Sequence, residues 1–224
     1  MKRLKFILVG FLALNMLNLN AQVIPFEKDK LEPSNVSMSL EKLMGKDVVK
    51  VTKNPELKEV DQATFVKIMG TNFQNGIIEV SVLSKLLPDA DQLARGFIGV
   101  AFRINNDNTK FESIYLRPTN ARADDQIRRN HTLQYFSFPD FPFSKTRKET
   151  PEKYESYADM ALNEWIKIKI TVKDSKAQLF INDAIQPCLI VNDLKHGAIS
   201  SGAIGLWVDV GTEGYFKDLK ITKK

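Results

Sequence analysis

The strongest constraint on this chain is a period of two. In WIKIKITV, residues 165–172, Ile166, Ile168, Ile170 and Val172 alternate with Lys167, Lys169 and Thr171. Successive side chains of a strand point to opposite faces, so this segment buries one face and wets the other. GIIEVSVL at 76–83 alternates around Glu79, while GFIGVAFRI at 96–104 is almost wholly apolar, the pattern of a strand covered on both faces. Further strands are predicted over 47–52, 63–69, 111–116, 132–138, 177–181, 188–191, 203–208 and 215–221. Only 88–93 and 151–161 carry a weak helical pattern. At least ten short strands joined by polar turns predict an all-β, antiparallel two-sheet jelly-roll sandwich.

Residues 1–21 have the make-up of a signal peptide: Lys2, Arg3 and Lys5, then an apolar run, then Ala21 before Gln22. That run is short of the ~20 residues a membrane helix needs, and nothing later is long and apolar enough. The expectation is a secreted or periplasmic bacterial protein with an extended lead-in over 22–45 and one sandwich domain over 46–224. Losing Lys2, Arg3 and Lys5 takes the formal charge from +5 to +2, too little to argue for nucleic acid as a partner. One cysteine, Cys188, excludes an internal disulfide.

The motifs GFIGVAFRI, FESIYLRP, EWIKIKITVKDSKAQLFIND and GAIGLWVDVGTEGYFKDLKI resemble the concanavalin A-like lectin/glucanase sandwiches. The likeness is greatest to secreted bacterial domains of the laminin-G-like and DUF1080 (3-keto-disaccharide hydrolase-like) type, and it runs from Phe73 to the C-terminus. It implies a jelly roll that binds or processes carbohydrate in a glycoside hydrolase-like way. The alternatives are a non-catalytic sugar-binding module and a laminin-G-like protein-interaction domain. The E-x-D-x-E strand of family-16-type glucanases is missing, so the resemblance transfers no catalytic residue.

Arginine use marks where to look. Outside Arg3, every arginine lies between Arg95 and Arg147, a span holding only two lysines, Lys110 and Lys145. Lysine is a hydrated point charge, whereas arginine is a planar fork that pairs with carboxylates and stacks on rings. Within this span, residues 117–130 lack apolar patterning and are predicted as a long loop over one face or edge of the sheet. Period two puts Tyr115 and Arg117 on one side of the 111–116 strand and Glu112 on the other. Arg103, Tyr115, Arg117, Asn120, Arg122, Asp125, Arg128 and Tyr135 are the candidate saccharide-binding residues. Glu112, Asp124 and His131 are the candidate catalytic groups, as the available carboxyls and a base that titrates near neutrality. Alternatively, Asp124 and Asp125 pair with Arg122, Arg128 and Arg129 as scaffold.

The remaining features are weaker. NNDN at 105–108 is predicted as a tight turn, with calcium as a conceivable cofactor and no other metal site. His196, beside Gly197, reads as a surface residue, and Trp165 and Trp207 as core. In FPDFPF, at 138–143, the prolines forbid a regular strand interior, so its three phenylalanines either plug the sandwich or edge a groove.

Overall fold

The computed structural model describes residues 21–224. The predicted leader lies outside the described residues except for Ala21. Fifteen strands follow in order: β1 (Ala21–Val23), β2 (Leu31–Ser34), β3 (Val36–Leu43), β4 (Lys46–Lys53) and β5 (Phe65–Phe73). Then come β6 (Gly76–Leu86), β7 (Ile98–Ile104), β8 (Phe111–Leu116), β9 (Leu133–Phe138) and β10 (Glu155–Ser156). The last are β11 (Ile166–Lys173), β12 (Lys176–Ile181), β13 (Leu189–Val191), β14 (Gly202–Val208) and β15 (Thr212–Lys223). Three short helices interrupt them: α1 (Pro118–Ala121), α2 (Gln126–Asn130) and α3 (Phe143–Glu149).

The strands form two antiparallel sheets. One has eight strands in the order β13-β12-β11-β6-β15-β4-β3, with β1 also paired to β15; the other has seven, β10-β9-β8-β7-β14-β5-β2. This is the predicted jelly-roll sandwich. The stretch expected as a lead-in is extended, but its strands are paired edges: β2 borders β5 in one sheet and β3 borders β4 in the other. The long β15 changes register between Lys217 and Lys220, where Asp218 has a φ of 57°. Its first half pairs with β4 and its second with β1.

The alternation in the sequence becomes two faces. Ile166, Ile168, Ile170 and Val172 of β11 are buried while Lys167 and Lys173 are exposed. Together with Val80, Val82, Val100, Ile114, Leu206 and their neighbours they form the core between the sheets. Each such side chain stabilises the fold by roughly 1.5–3 kcal/mol, more than most exposed ion pairs of the surface. All of β7 is buried, as its apolar pattern requires.

The seven-stranded sheet owes its double burial to a second apolar cluster on its outer face. Phe65, Phe111, Tyr115, Phe136 and Trp207 pack there, with Tyr115 and Trp207 ring centroids 4.7 Å apart. Gly205 makes the space, because a Cβ there would stand 3.0 Å from Cγ of Phe65 and 2.8 Å from Cδ1 of Ile104. Residues 54–64 lie over part of this cluster: the indole Nε1–H of Trp207 donates to the Gln62 carbonyl at 2.9 Å. Trp165, by contrast, is only partly buried and packs beside Val48, Leu83 and Tyr215.

Two local expectations are corrected. Residues 88–93 and 151–161, with their weak helical pattern, form turns and the two-residue β10. Residues 117–130 are not a structureless loop but contain α1 and α2. Pro118 supplies the first turn of α1. The Asp125 carboxylate caps α2, accepting from the N–H groups of Ile127 at 2.9 Å and Arg128 at 3.1 Å.

Candidate functional site

The outer face of the seven-stranded sheet carries a cleft of about 400 Å³. Alternation along β8 aims Tyr115 and Arg117 into it, and Phe97 flanks them just before β7. The walls come from distant parts of the chain: Asp61 before β5, Asp209 after β14, Asn120 and Arg128 from α1 and α2, and Phe143 and Arg147 from α3. Arg95 and His131 complete it. Four of the seven clustered arginines therefore meet in one concavity.

Arg117 is the organising side chain. Its Nη1 donates to Glu155 at 3.0 Å and to the His131 carbonyl at 3.0 Å, and its Nη2 donates to the Tyr115 hydroxyl at 2.7 Å. The guanidinium also lies over the Tyr115 and Phe143 rings, 5.0 and 5.6 Å from their centroids. Arg147 binds the same carboxylate, with Nε donating to Glu155 at 3.1 Å, and covers Phe143 at 5.2 Å. Burial alone would raise the Glu155 pKa; hydrogen bonding to Arg147 and the charge of Arg117 outweigh it and hold the carboxyl below its usual range. His131, its Nε2 3.6 Å from Glu155, is lowered chiefly by burial, with Glu155 opposing and Arg147 and Arg117 adding to the lowering. The shift favours the neutral imidazole.

Two aspartates sit deeper. Asp209 pairs with the buried Lys53 ammonium at 2.6 Å and accepts the Asp61 N–H at 2.9 Å. Asp61, only 2% exposed, accepts the Phe143 N–H at 2.5 Å. Burial pushes its pKa up to about 7, Asp209 pushes the same way, and the Phe143 N–H and Arg117 oppose them. The carboxyl therefore keeps its proton well above the usual carboxylate range.

Of the sequence-derived candidates, Tyr115, Arg117, Asn120, Arg128 and His131 line this cleft. The others do not. Glu112 faces the inter-sheet interior, fully buried, accepting from the Tyr135 hydroxyl at 2.5 Å and the His196 N–H at 2.8 Å. Tyr135 is buried beside it. Arg103 is enclosed too, with a φ of 56°, and its guanidinium donates to the carbonyls of Gln74, Asp174 and Gly197. These three are joints inside the sandwich. Asp125 is the cap of α2, Asp124 is exposed outside the cleft, and Arg122 turns away to Asp159 and Glu164. Glu112, Asp124 and His131 are thus in three separate environments, with no shared reaction centre.

Arg122 does form ion pairs, but with partners other than the expected Asp124 and Asp125. His196 is no simple surface residue, since its Nε2 sits 3.0 Å from the Ser137 hydroxyl and 2.9 Å from the Phe138 carbonyl. The FPDFPF phenylalanines divide between both roles: Phe138 stacks on Phe111 at 5.1 Å, Phe141 packs on Tyr154, and Phe143 edges the cleft. In the 105–108 turn, Lys67 Nζ donates to Asn108 at 2.9 Å and Asn106 at 3.2 Å, so a cationic amine already occupies those oxygens. Among the described residues no cluster of three His, Cys, Asp or Glu is arranged to hold a metal ion. Nor is any helix among them long and apolar enough to cross a membrane.

Sequence reasoning missed Asp61 and Asp209. Each lies in an irregular segment between strands, and only the fold brings them together with Arg117.

No family model matches this sequence, and no curated protein does. Solved structures do match in fold. The carbohydrate-binding module CBM66 from Bacillus subtilis is 12% identical, over 85% of this chain and 97% of that one, with a TM-score of 0.53. A Bacillus subtilis protein of unknown function with a galectin-like fold is 11% identical, over 84% and 87%, with a TM-score of 0.53. A cellulose-induced protein, Cip1, is 13% identical, over 89% and 94%, again at 0.53. The chain has the concanavalin A-like, galectin-like β-sandwich fold. At such identities the likeness extends to the fold alone.

Proposed function

We propose that the protein binds a saccharide in the cleft on the outer face of its seven-stranded sheet, and does so outside the cytoplasm. The observation that carries this reading is the pairing of partly exposed rings with forked hydrogen-bonding groups in one concavity. Phe97 and Phe143 offer apolar surface for a sugar face, while Asn120, Arg128 and Arg95 offer planar donors and acceptors for hydroxyl pairs. A volume of about 400 Å³ accommodates a small oligosaccharide unit. The matched structure described as a carbohydrate-binding module supports the reading.

The test is calorimetric titration against a panel of neutral and acidic oligosaccharides. At least one should bind, and Phe143→Ala should weaken it by about tenfold, as expected for a lost stacking contact. Absence of binding by every glycan would remove the reading.

A second reading, turnover, is favoured by Asp61. It is a carboxyl in the cleft whose proton is retained well above the usual carboxylate range, as a general acid that donates its proton to a leaving sugar oxygen requires. Asp61→Asn would then abolish product formation while binding persisted. If wild type and variant release no product from any bound glycan, the protein is a binding module.

A further inference from the structure

The arginines of the cleft fall into two classes. Arg117 and Arg147 share Glu155, so each of them is already paired with a carboxylate inside the protein. Among the described residues, no ion pair joins Arg95 or Arg128 to a carboxylate. Arg95 Nη1 donates only to the carbonyls of Gln92, at 2.5 Å, and Ala94, at 2.9 Å, both in its own turn. Arg128 makes two long bonds, from Nε to the Asn120 amide oxygen at 3.3 Å and from Nη2 to the Thr119 carbonyl at 3.4 Å. Neither contact calls for a permanent cation.

The two are nevertheless held close. Burial is the first cause that depresses the Arg95 guanidinium, and the charges of Arg128 and Arg117 are the next two. Gathering like charges in a partly desolvated cleft opposes folding unless something returns the energy. The acids of the cleft do not. Asp209 is matched by Lys53, and burial of Asp61 favours its neutral form. Asp91 attracts Arg95 weakly, with one carboxylate oxygen engaged by the N–H groups of Leu93 at 2.6 Å and Ala94 at 3.0 Å. Setting aside the groups already paired, Arg95, Arg128 and Lys58 face Asp91, so the cleft is left positive. General solubility does not account for it, because the rest of the chain meets that need with lysine.

We propose that the saccharide taken by this cleft carries an anionic substituent, a carboxylate or a sulfate ester, seated between Arg95 and Arg128. The inference rests on the saccharide reading and narrows its ligand to acidic sugars. Two guanidinium forks converging on one anion give short, charge-assisted bonds with fixed geometry. A neutral sugar would leave both forks desolvated and unmatched. The rings of Phe97 and Phe143 would hold the pyranose body while the forks read its charge.

The experiment is calorimetric titration of the full chain with four probes: an oligouronate, its methyl ester, its carboxyl-reduced counterpart and a sulfated neutral oligosaccharide. The wild type should bind an acidic probe at least about tenfold more tightly than the ester or the reduced form, with an affinity that falls as salt rises. Arg95→Gln and Arg128→Gln should each weaken the acidic probe by about tenfold more than they weaken the methyl ester or the reduced form. Whether the uronate or the sulfated probe is preferred identifies the anion. Equal binding of acidic and neutral probes, unaffected by either variant, overturns the anionic inference and leaves the saccharide reading standing. If no sugar binds but free citrate or inorganic sulfate does, with loss in both variants, the anion seat stands and the saccharide reading falls. If nothing binds, both fall. Circular dichroism and the denaturation midpoint of each variant establish that it is folded.

Discussion

The two outer faces of the sandwich are built from the same alternating strands and have opposite characters. On the eight-stranded sheet the outward positions are lysines in water: Lys167 reaches Asp183 at 2.6 Å with both side chains more than 60% exposed. Lys169 lies 4.3 Å above the Phe180 ring and Lys217 4.6 Å above Trp165, with apolar stems available to cover the rings. That face also has a concavity of about 400 Å³, lined by Lys167, Lys169 and Lys220 with Glu79, Asp183 and Asp218. On the seven-stranded sheet the outward positions are aromatic, roofed, and joined to arginines. Size does not separate the two concavities. The difference lies in three lysines set among three acids on one side, against arginine forks and partly exposed rings on the other.

The comparison breaks most directly at Glu155. Glu155→Ala leaves the buried Arg117 without its carboxylate and should cost about 3–5 kcal/mol, the range for breaking a buried ion pair from one side. Urea denaturation measures it. Lys167→Ala, which removes a solvated pair from the other face, should leave the midpoint unchanged within error. Equal losses at the two positions would mean that the faces do not differ in the way described.

Glu112 tests whether the interior of the seven-stranded sheet is scaffold or chemistry. Glu112→Ala strands the Tyr135 hydroxyl and the His196 N–H and should destabilise by about 1–3 kcal/mol. Glycan affinity, measured where the variant remains folded, should not change. A selective loss of binding or turnover in a stable Glu112→Gln protein would return this residue to the site.

How far the sequence reveals the molecule follows from the same contrast. Period-two patterning shows which strands exist, as WIKIKITV does for β11 and FESIYL does for β8, because burial of one face leaves a local mark. It also aims Tyr115 and Arg117 to one side and Glu112 to the other. The arginine cluster points to the right region, since forks are placed where directed contacts are needed. What it does not reveal is which arginine pairs inward. Arg103 and Arg117 look alike in sequence, yet one ties three loops together and the other floors the cleft. Asp61 and Asp209 leave no local signature because their environment is made by segments over a hundred residues apart, as the Asp61 N–H bond to Asp209 across 148 positions shows.

Asp61 gives the pH dependence. In the unfolded chain it ionises near 3.8, in the folded protein near 7. Between those values the folded state holds the extra proton. The stability contributed by this group is full below pH 3.8 and declines as pH rises to about 7, then stays level. Asp61→Asn cannot ionise, so its stability relative to wild type should increase from pH 5 to about pH 7 and level off above it. A constant difference between the two proteins across that window would show that Asp61 is not held protonated.

The smallest expected effect separates two arginines of one short segment. Arg122 and Arg128 are six positions apart, but Arg122 forms a fork-to-fork pair with Asp159, Nε and Nη2 each donating at 2.9 Å, in a half-exposed setting. It does not line the cleft. An exposed pair of this kind contributes little to folding, and its guanidinium is matched before any ligand arrives. Arg122→Ala should therefore leave both the denaturation midpoint and the affinity for an acidic oligosaccharide within error of wild type, while Arg128→Gln lowers the affinity. If Arg122→Ala weakened binding as much as Arg128→Gln, the ligand would have to extend past α1 onto the segment around Asp159. The cleft would then be one subsite of a longer groove, and arginine placement alone, matched or unmatched, would no longer mark its boundary.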